Sequence, residues 1–517
     1  MNEDGATPEA APDAAPFRPI ADLVAGHARN APRAAAIVDA RGTLDYAALD
    51  ALADRVAAAL QRDGVAAGET VAICAASSAR YAAIFLGALR AGVALAPLSP
   101  SVLPATFDAM LRDSGARWLF ADAQGAALLG AGAGRPACVA LQDGAPGTPF
   151  ERWVAPAGSV PRHVAIAPEM AFNIIYSSGT TGTPKGIVQS HGMRWLHVMR
   201  GADLGYGPHA VTLLATPLYS NTTLVSFFPT LAHGGCVVLM DKFDALRYLE
   251  LAVRHRATHT MLVPVQYQRL LAHPRFGEFD LGSFQMKFCT SAPFGAALKA
   301  DALARWPGGL VEYYGMTEGG GTCALLAHAH PDKLHTVGQP LPGHDIRVID
   351  EDGRELPPGE IGEVVGRSGA MMTGYHRQPG KTAEAEWFDA AGQRFIRTGD
   401  VGRFDADGFL TLMDRRKDMI ISGGFNIYPS DLEAVLREHA AVAEAAVVGV
   451  PSEAWGETPV AWVVARGGAA IDAETLRHWA NAKLGKTQRI AALHFIDALP
   501  RSAIGKVLKT ELRERDR

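Results

Sequence analysis

The chain has 517 residues, 48% of them apolar and 20% charged, and carries a net charge of −5. That length exceeds what a single hydrophobic core supports, so at least two domains of a globular protein are expected. The mild acidity argues against a nucleic-acid partner, because a phosphate backbone demands concentrated Lys and Arg.

Residues 1–16 are rich in Ala, Pro and acidic side chains and read as a disordered tail. They lack the basic start and apolar centre of a secretory leader. No apolar run is long enough to span a bilayer, and stretch 81–98 is broken by Arg90, so a cytoplasmic location is expected. From the tail to about Asp122 the pattern alternates. Helical spacing over 46–60 is followed by an apolar run at 70–74, helical spacing again over 81–89, and strand-like runs at 93–98 and 118–121. Such alternation predicts a mostly parallel sheet covered by helices. The Gly/Ala/Pro-rich stretch 125–161 reads as loops.

Directly after the apolar run 172–175 comes Tyr176-Ser-Ser-Gly-Thr-Thr-Gly-Thr-Pro-Lys-Gly186. Glycines let the backbone approach an anion, N–H groups and hydroxyls donate hydrogen bonds, and Lys185 supplies charge, so this loop suits an oligophosphate. It departs from the Walker pattern, in which Ser or Thr follows Gly-Lys, because Lys185 lies between Pro184 and Gly186. A P-loop kinase or GTPase reading therefore loses its main support. Beyond the loop, 191–203 and 245–256 read as helices, and 211–215, 236–240, 260–263, 286–289 and 310–313 as buried strands. Open α/β sheets place ligands beyond the carboxyl ends of their strands, so these ends should form one crevice.

From Val337 the texture turns to β, with runs at 345–350, 361–366, 394–397 and 409–413 between Gly/Asp/Pro turns, which predicts a small distorted barrel or sheet. The charged segment 414–418 precedes a final α+β unit. Within it Ser430 and Glu433 have capping-box spacing for a helix over 432–438, strands are expected at 445–450 and 460–465, and a helix over 475–484. Cys74, Cys138, Cys236, Cys289 and Cys323 are scattered, which opposes a disulfide framework or zinc site. His328, His330 and His335 fall in a polar segment that reads as a surface loop.

Five segments, in order, resemble those of the acyl-adenylate-forming superfamily, in its acyl-CoA synthetase branch. The loop at 176–186 resembles its phosphate loop, Tyr313-Tyr-Gly-Met-Thr-Glu318 its second signature, and Thr398-Gly-Asp400 its third. Segment 415–428 resembles its hinge region and Pro500-Arg-Ser-Ala-Ile-Gly-Lys506 its C-terminal lysine motif. Singly, Asp400 reads as a turn residue and Lys506 as a solvated charge; the order of the whole set is what assigns them. The resemblance implies a large N-terminal α/β domain of stacked sheets with a barrel-like region (17–416) and a small mobile α+β domain (417–517) hinged at Lys417.

The resemblance also implies site residues. Ser177, Ser178, Gly179, Thr180, Thr181, Gly182 and Lys185 would hold phosphates, Thr317 the α-phosphate, and Glu318 the Mg²⁺. Ser291, Ala292, Pro293 and Tyr314 would surround adenine, and Asp400 and Arg415 would bind ribose. Lys506 would bridge the acyl carboxylate and α-phosphate. After domain rotation, Gly423 and Gly424 would line a thiol tunnel, and Trp455 would pack on the CoA nucleotide. Implied cofactors are ATP, Mg²⁺ and coenzyme A.

Two departures bear on the acid. Ser220 stands where many relatives carry a gating histidine, and Gly319-Gly320-Gly321 after Glu318 suggests a widened pocket or a mobile wall. Tyr219, Ser220, Thr222, Val225, Ala292 and Gly320 are pocket candidates, and no cation stands out in sequence to meet a second carboxylate. The expected function is an acid:CoA ligase for an apolar or aromatic monocarboxylic acid. Two alternatives are a ligase that loads a carrier protein's phosphopantetheine and, from another class, a nucleotide-binding sensor without turnover. No membrane span or nucleic acid is expected, and a homo-oligomer is compatible with the composition.

Overall fold

The computed structural model describes residues 16–130, 135–177, 185–415, 418–422, 425–452, 455–467, 471–484, 488–502 and 505–515. The expected tail up to residue 15, the loop residues Ser178, Gly179, Thr180, Thr181 and Gly182, and Lys417, Gly423 and Gly424 lie outside them. For Ser177 and Arg415 the backbone alone is described.

Among the described residues the strands form four sheets. A nine-stranded sheet has a parallel centre made of Val211–Leu214, Cys236–Leu239, His259–Leu262, Met286–Cys289 and Gly309–Tyr314. An eight-stranded sheet carries Thr70–Cys74, Ala94–Pro97 and Trp118–Ala121 in parallel, and the hairpin Ala171–Ser177 with Lys185–Ser190 extends it. Apolar side chains fill most of these short strands because both faces are covered. Helix Ala79–Arg90 is buried from Tyr81 to Leu89, as expected of a helix apolar all round and enclosed by the core. Phe85, Phe172 and Phe228 meet there with ring centroids 5.0 to 5.6 Å apart. One hydrophobic core joins side chains of both sheets.

A third, antiparallel sheet contains Asp345–Ile349, Gly362–Arg367, Glu386–Phe388, Arg394–Phe404 and Leu410–Arg415. A fourth, near the C-terminus, pairs Val442–Ser452 with Gly456–Ala465, and helices Pro429–Arg437 and Ala473–Lys483 accompany it with their own core. The α/β class with a β-rich region and a small α+β unit is therefore as expected from sequence.

Three local expectations need correction. Stretch 125–161 is more than loops: Ala137–Ala140 pairs in parallel with Trp118–Ala121, Thr148–Pro149 extends the edge, and helix Phe150–Trp153 follows. Trp153 anchors it, its ring 4.9 Å from that of Phe120, a tertiary contact that Gly/Ala composition conceals. The expected helix at 191–203 ends at Met199, and a 3-10 turn follows at Ala202–Leu204. The capping box is also absent. The helix starts at Pro429, and the Ser430 hydroxyl donates to the Met413 carbonyl. Glu433 instead accepts the Val447 N–H at 2.9 Å and pairs with Lys509 at 2.8 Å. Tertiary partners outcompete the local motif.

Candidate active site

The carboxyl ends of the two large sheets, the third sheet and the C-terminal unit surround a cavity of about 1030 Å³. Strand Lys185–Ser190 places Lys185 on its wall, and the turn after Gly309–Tyr314 places Thr317 and Glu318 there. Helix Asn221–Ala232 and the loop before it add Tyr219, Ser220, Thr222 and Val225. Ser291 lines it too, held at φ 81° with its hydroxyl 2.5 Å from that of Thr222. A positive φ is costly for a residue with a Cβ, and such strain tends to gather at binding sites.

Lys506 reaches the same cavity from the C-terminal unit. Its loop is a tight turn. Gly505 N–H donates to Ser502 O at 2.8 Å, Ser502 N–H to Lys506 O at 2.8 Å, and Arg501 Nη1 to Gly505 O at 2.7 Å. Gly505 sits at φ 77°, where a Cβ would lie 2.8 Å from Val265 Cγ1. Only glycine satisfies both the left-handed backbone and that close approach. The turn thus rests on helix Pro264–Leu271 and directs the lysine-bearing segment toward the cavity.

The Tyr314 hydroxyl donates to Asp400 Oδ2 at 2.9 Å, which joins two signature segments. Burial, and then the Asp400 charge, raise the Tyr314 phenol well above its ordinary value, so it stays a donor. Neither residue is on the cavity wall proper, whereas Thr398 and Gly399 beside Asp400 are. Asp400 stands opposite Arg415 in the strand register. Ala292 is partly exposed, Pro293 is exposed, and Trp455 is 61% exposed on the C-terminal unit, away from the cavity wall.

Gly320 does not reach the cavity. It is buried, and a Cβ there would lie 2.9 Å from Gly366 O and 3.0 Å from Ile396 Cβ. At Gly319, φ is 78° and a Cβ would meet Ala370 O at 2.0 Å. Gly320 and Gly321 therefore serve close packing against the third sheet, whereas Gly319 lines the cavity beside Ala370, so the widened pocket or mobile wall expected from sequence is confined to Gly319.

Two groups of residues escaped the sequence reading. Tyr375 donates to Glu318 Oε1 at 2.9 Å, while Lys185 Nζ lies 5.0 Å from the centroid of its ring. One tyrosine thus braces both the carboxylate and the lysine. Beneath them Arg194, 1% exposed, donates to Asn173 Oδ1 at 3.2 Å, Asn221 Oδ1 at 2.8 Å and Gln189 Oε1. Gln189 Nε2 in turn donates to Thr317 O at 2.6 Å. Polar residues at apolar-looking positions of a hairpin were the available signal.

The donor set fits Mg²⁺. Glu318 Oε2 makes no hydrogen bond among the described residues, and no group of three His, Cys, Asp or Glu there could hold a metal. A lone carboxylate suits an ion that keeps waters and substrate phosphates as its other ligands. All five cysteines are free, and Cys74, Cys289 and Cys323 are buried. No described helix is long and apolar enough to cross a membrane.

The family model of AMP-binding enzymes matches residues 24–376, and that of their C-terminal domain matches 431–506. The chain belongs to the AMP-binding enzyme family. It falls in the acyl-CoA synthetase branch of the adenylate-forming superfamily. Enzymes of this branch are ATP-dependent, AMP-forming ligases that use ATP, Mg²⁺ and CoA, and the chain is an enzyme of that class. A feruloyl-CoA synthase from an Amycolatopsis species is 34% identical over 94% of this chain and 97% of its own length. A fatty acid–[acyl-carrier-protein] ligase, ScoC of Streptomyces coeruleorubidus, is 33% identical over 95% of each. Among solved structures, ATP-bound MatB from Rhodopseudomonas palustris superposes with a TM-score of 0.86 at 32% identity, over 96% of this chain and 98% of that one.

Proposed function

We propose that this AMP-binding enzyme activates an apolar or aromatic monocarboxylic acid and transfers its acyl group to CoA. The observation that carries the reading is the convergence of Lys185, Thr317, Glu318 and Lys506, far apart in sequence, on one cavity with an apolar flank of Leu204, Met261 and Phe288. In the first half-reaction a carboxylate oxygen attacks the α-phosphorus, the bond to the β-phosphate breaks, and pyrophosphate leaves. Two anions approach each other, so the site must supply positive charge as the transition state forms. Lys506 serves this role between carboxylate and α-phosphate, and Lys185 with the 177–182 loop holds the departing phosphates. Mg²⁺, when bound, neutralises phosphate charge, and Glu318 would hold it. Thr317 donates to the α-phosphate, Asp400 with Arg415 accepts and donates at the ribose, and Tyr314 with 291–293 flanks the adenine.

In the second half-reaction a thiol sulfur attacks the acyl carbonyl, AMP leaves, and the thiol proton goes to solvent. Lys506 occupies the cavity in this structure, so thiol entry needs a different placement of the C-terminal unit. Rotation about Lys417 would bring Gly423 and Gly424 to the site and Trp455 to the CoA nucleotide. The test is AMP and pyrophosphate formation across aryl, medium-chain and long-chain acids, with CoA or a phosphopantetheinylated carrier as acceptor. Acid-dependent AMP release accelerated by CoA is expected. Thioester appearing on the carrier alone would overturn the choice of acceptor.

A further inference from the structure

The cavity has a second polar pole that adenylation does not use. Helix His191–Met199 ends there and places His197 and Arg200 on the wall. Among the described residues Arg200 has no carboxylate within ion-pair distance, and its one contact at hydrogen-bonding range is Nη2 to Nε2 of His344. That contact does not satisfy the guanidinium. Thr322 N–H faces His344 Nδ1 at 2.9 Å while Arg200 faces Nε2, and a neutral imidazole can accept at only one of its two nitrogens. Burial and then the Arg200 charge hold the His344 ring down to about 4, which keeps it neutral. His197 makes no hydrogen bond among the described residues, and its Nδ1 is buried. Burial, followed by Arg194, Arg200 and His344, depresses its protonation well below the ordinary range.

A desolvated guanidinium and a neutral imidazole without acceptors are costly unless a ligand supplies the missing oxygen. Apolar side chains flank the same cavity, so the complementary ligand is apolar along its body and oxygen-bearing at its tip. We propose that Arg200 and His197 form a subsite for a hydrogen-bond-accepting oxygen at the far end of the acid, which selects oxygen-tipped acids over methyl-tipped isosteres. The proposal rests on the cavity being the acid site, and it adds a polar terminus to the otherwise apolar substrate class. Arg200 thereby becomes the specificity-determining cation that no sequence motif marks.

The test uses the full-length enzyme and acid-dependent pyrophosphate release, with 4-substituted benzoic and 3-phenylpropanoic acids carrying methyl, hydroxyl or carboxylate tips. At one of the two lengths, an oxygen-tipped acid should exceed its methyl isostere in kcat/KM by about 100-fold, because a site built around donors rejects a ligand that leaves them unpaired. Arg200→Met should collapse that ratio to within about fivefold, and Arg200→Lys should keep an intermediate ratio. The hydroxyl and carboxylate arms decide which oxygen the subsite takes. Equal use of methyl- and oxygen-tipped acids, or a full ratio in Arg200→Met, overturns the subsite while leaving the ligase reading intact. Absence of pyrophosphate release with every acid overturns both.

Discussion

At the scale of single residues, Tyr375 shows how one side chain prepares a site it was not expected to serve. Its hydroxyl holds one oxygen of Glu318 and its ring faces Lys185, so it positions together the carboxylate proposed to hold Mg²⁺ and the cation proposed to hold phosphate. Burial, and then the Glu318 charge, raise its phenol, which therefore remains a donor at any working pH. A hydrogen bond to a charged group contributes roughly 1.5–3 kcal/mol. Tyr375→Phe should thus raise the Mg²⁺ concentration that half-saturates pyrophosphate release by about tenfold, while a thermal melt shifts little. An unchanged Mg²⁺ titration would remove Tyr375 from this role. The signature residues Thr317, Glu318 and Lys506 were legible because their motifs are local strings. Tyr375 was not, because it acts through Glu318, a partner distant in sequence, and Arg200 was not, because no motif surrounds it.

At the scale of elements, the buried network around Arg194 links the hairpin Ala171–Ser177 and Lys185–Ser190 to helix Asn221–Ala232 and to the Thr317 carbonyl. Burial pushes the Arg194 guanidinium down to about 9, so it is still charged at neutral pH and its three acceptors are strongly bonded. Arg194→Met strips the donor from Asn173, Gln189 and Asn221 at once. A loss of about 3 kcal/mol in denaturant stability is expected, with a parallel fall in pyrophosphate release as Thr317 loosens. A stable variant with full activity would show the network to be dispensable. Strand positions were legible here from β-branched and apolar runs. The apparent capping box at Ser430 was misleading because the same residues found better partners in Met413, Val447 and Lys509.

At the scale of the whole molecule, Lys185, Thr317 and Lys506 come from the eight-stranded sheet, the nine-stranded sheet and the C-terminal unit, and their meeting on one cavity is a property of the tertiary fold. The alternation of strands and helices revealed the class and the crevice. It could not reveal which polar residues would be buried at the crevice floor, since burial is decided by packing between sheets. That burial has a measurable consequence. His191 is 3% exposed against Phe172, and burial lowers its ring to about 4. Between that value and its ordinary one near 6.5, the unfolded chain binds more protons than the native one. Stability therefore falls as pH drops through this window, by at most about 1.4 kcal/mol per pH unit for one such group. Denaturation midpoints at pH 7 and pH 5 should show the drop, and His191→Phe should shrink it by about 2 kcal/mol. Equal slopes in both proteins would mean that His191 titrates freely.

Lys506 lines the same cavity as Glu318 and Thr317, the arrangement proposed for the first half-reaction. The most direct measurement separates the two halves in Lys506→Ala. Acid-dependent ATP–pyrophosphate exchange should fall by at least about 100-fold, as for loss of a charge that stabilises the transition state, while thioester formation from supplied acyl-AMP and CoA continues near the wild-type rate. Exchange at the wild-type rate in that variant would contradict the account.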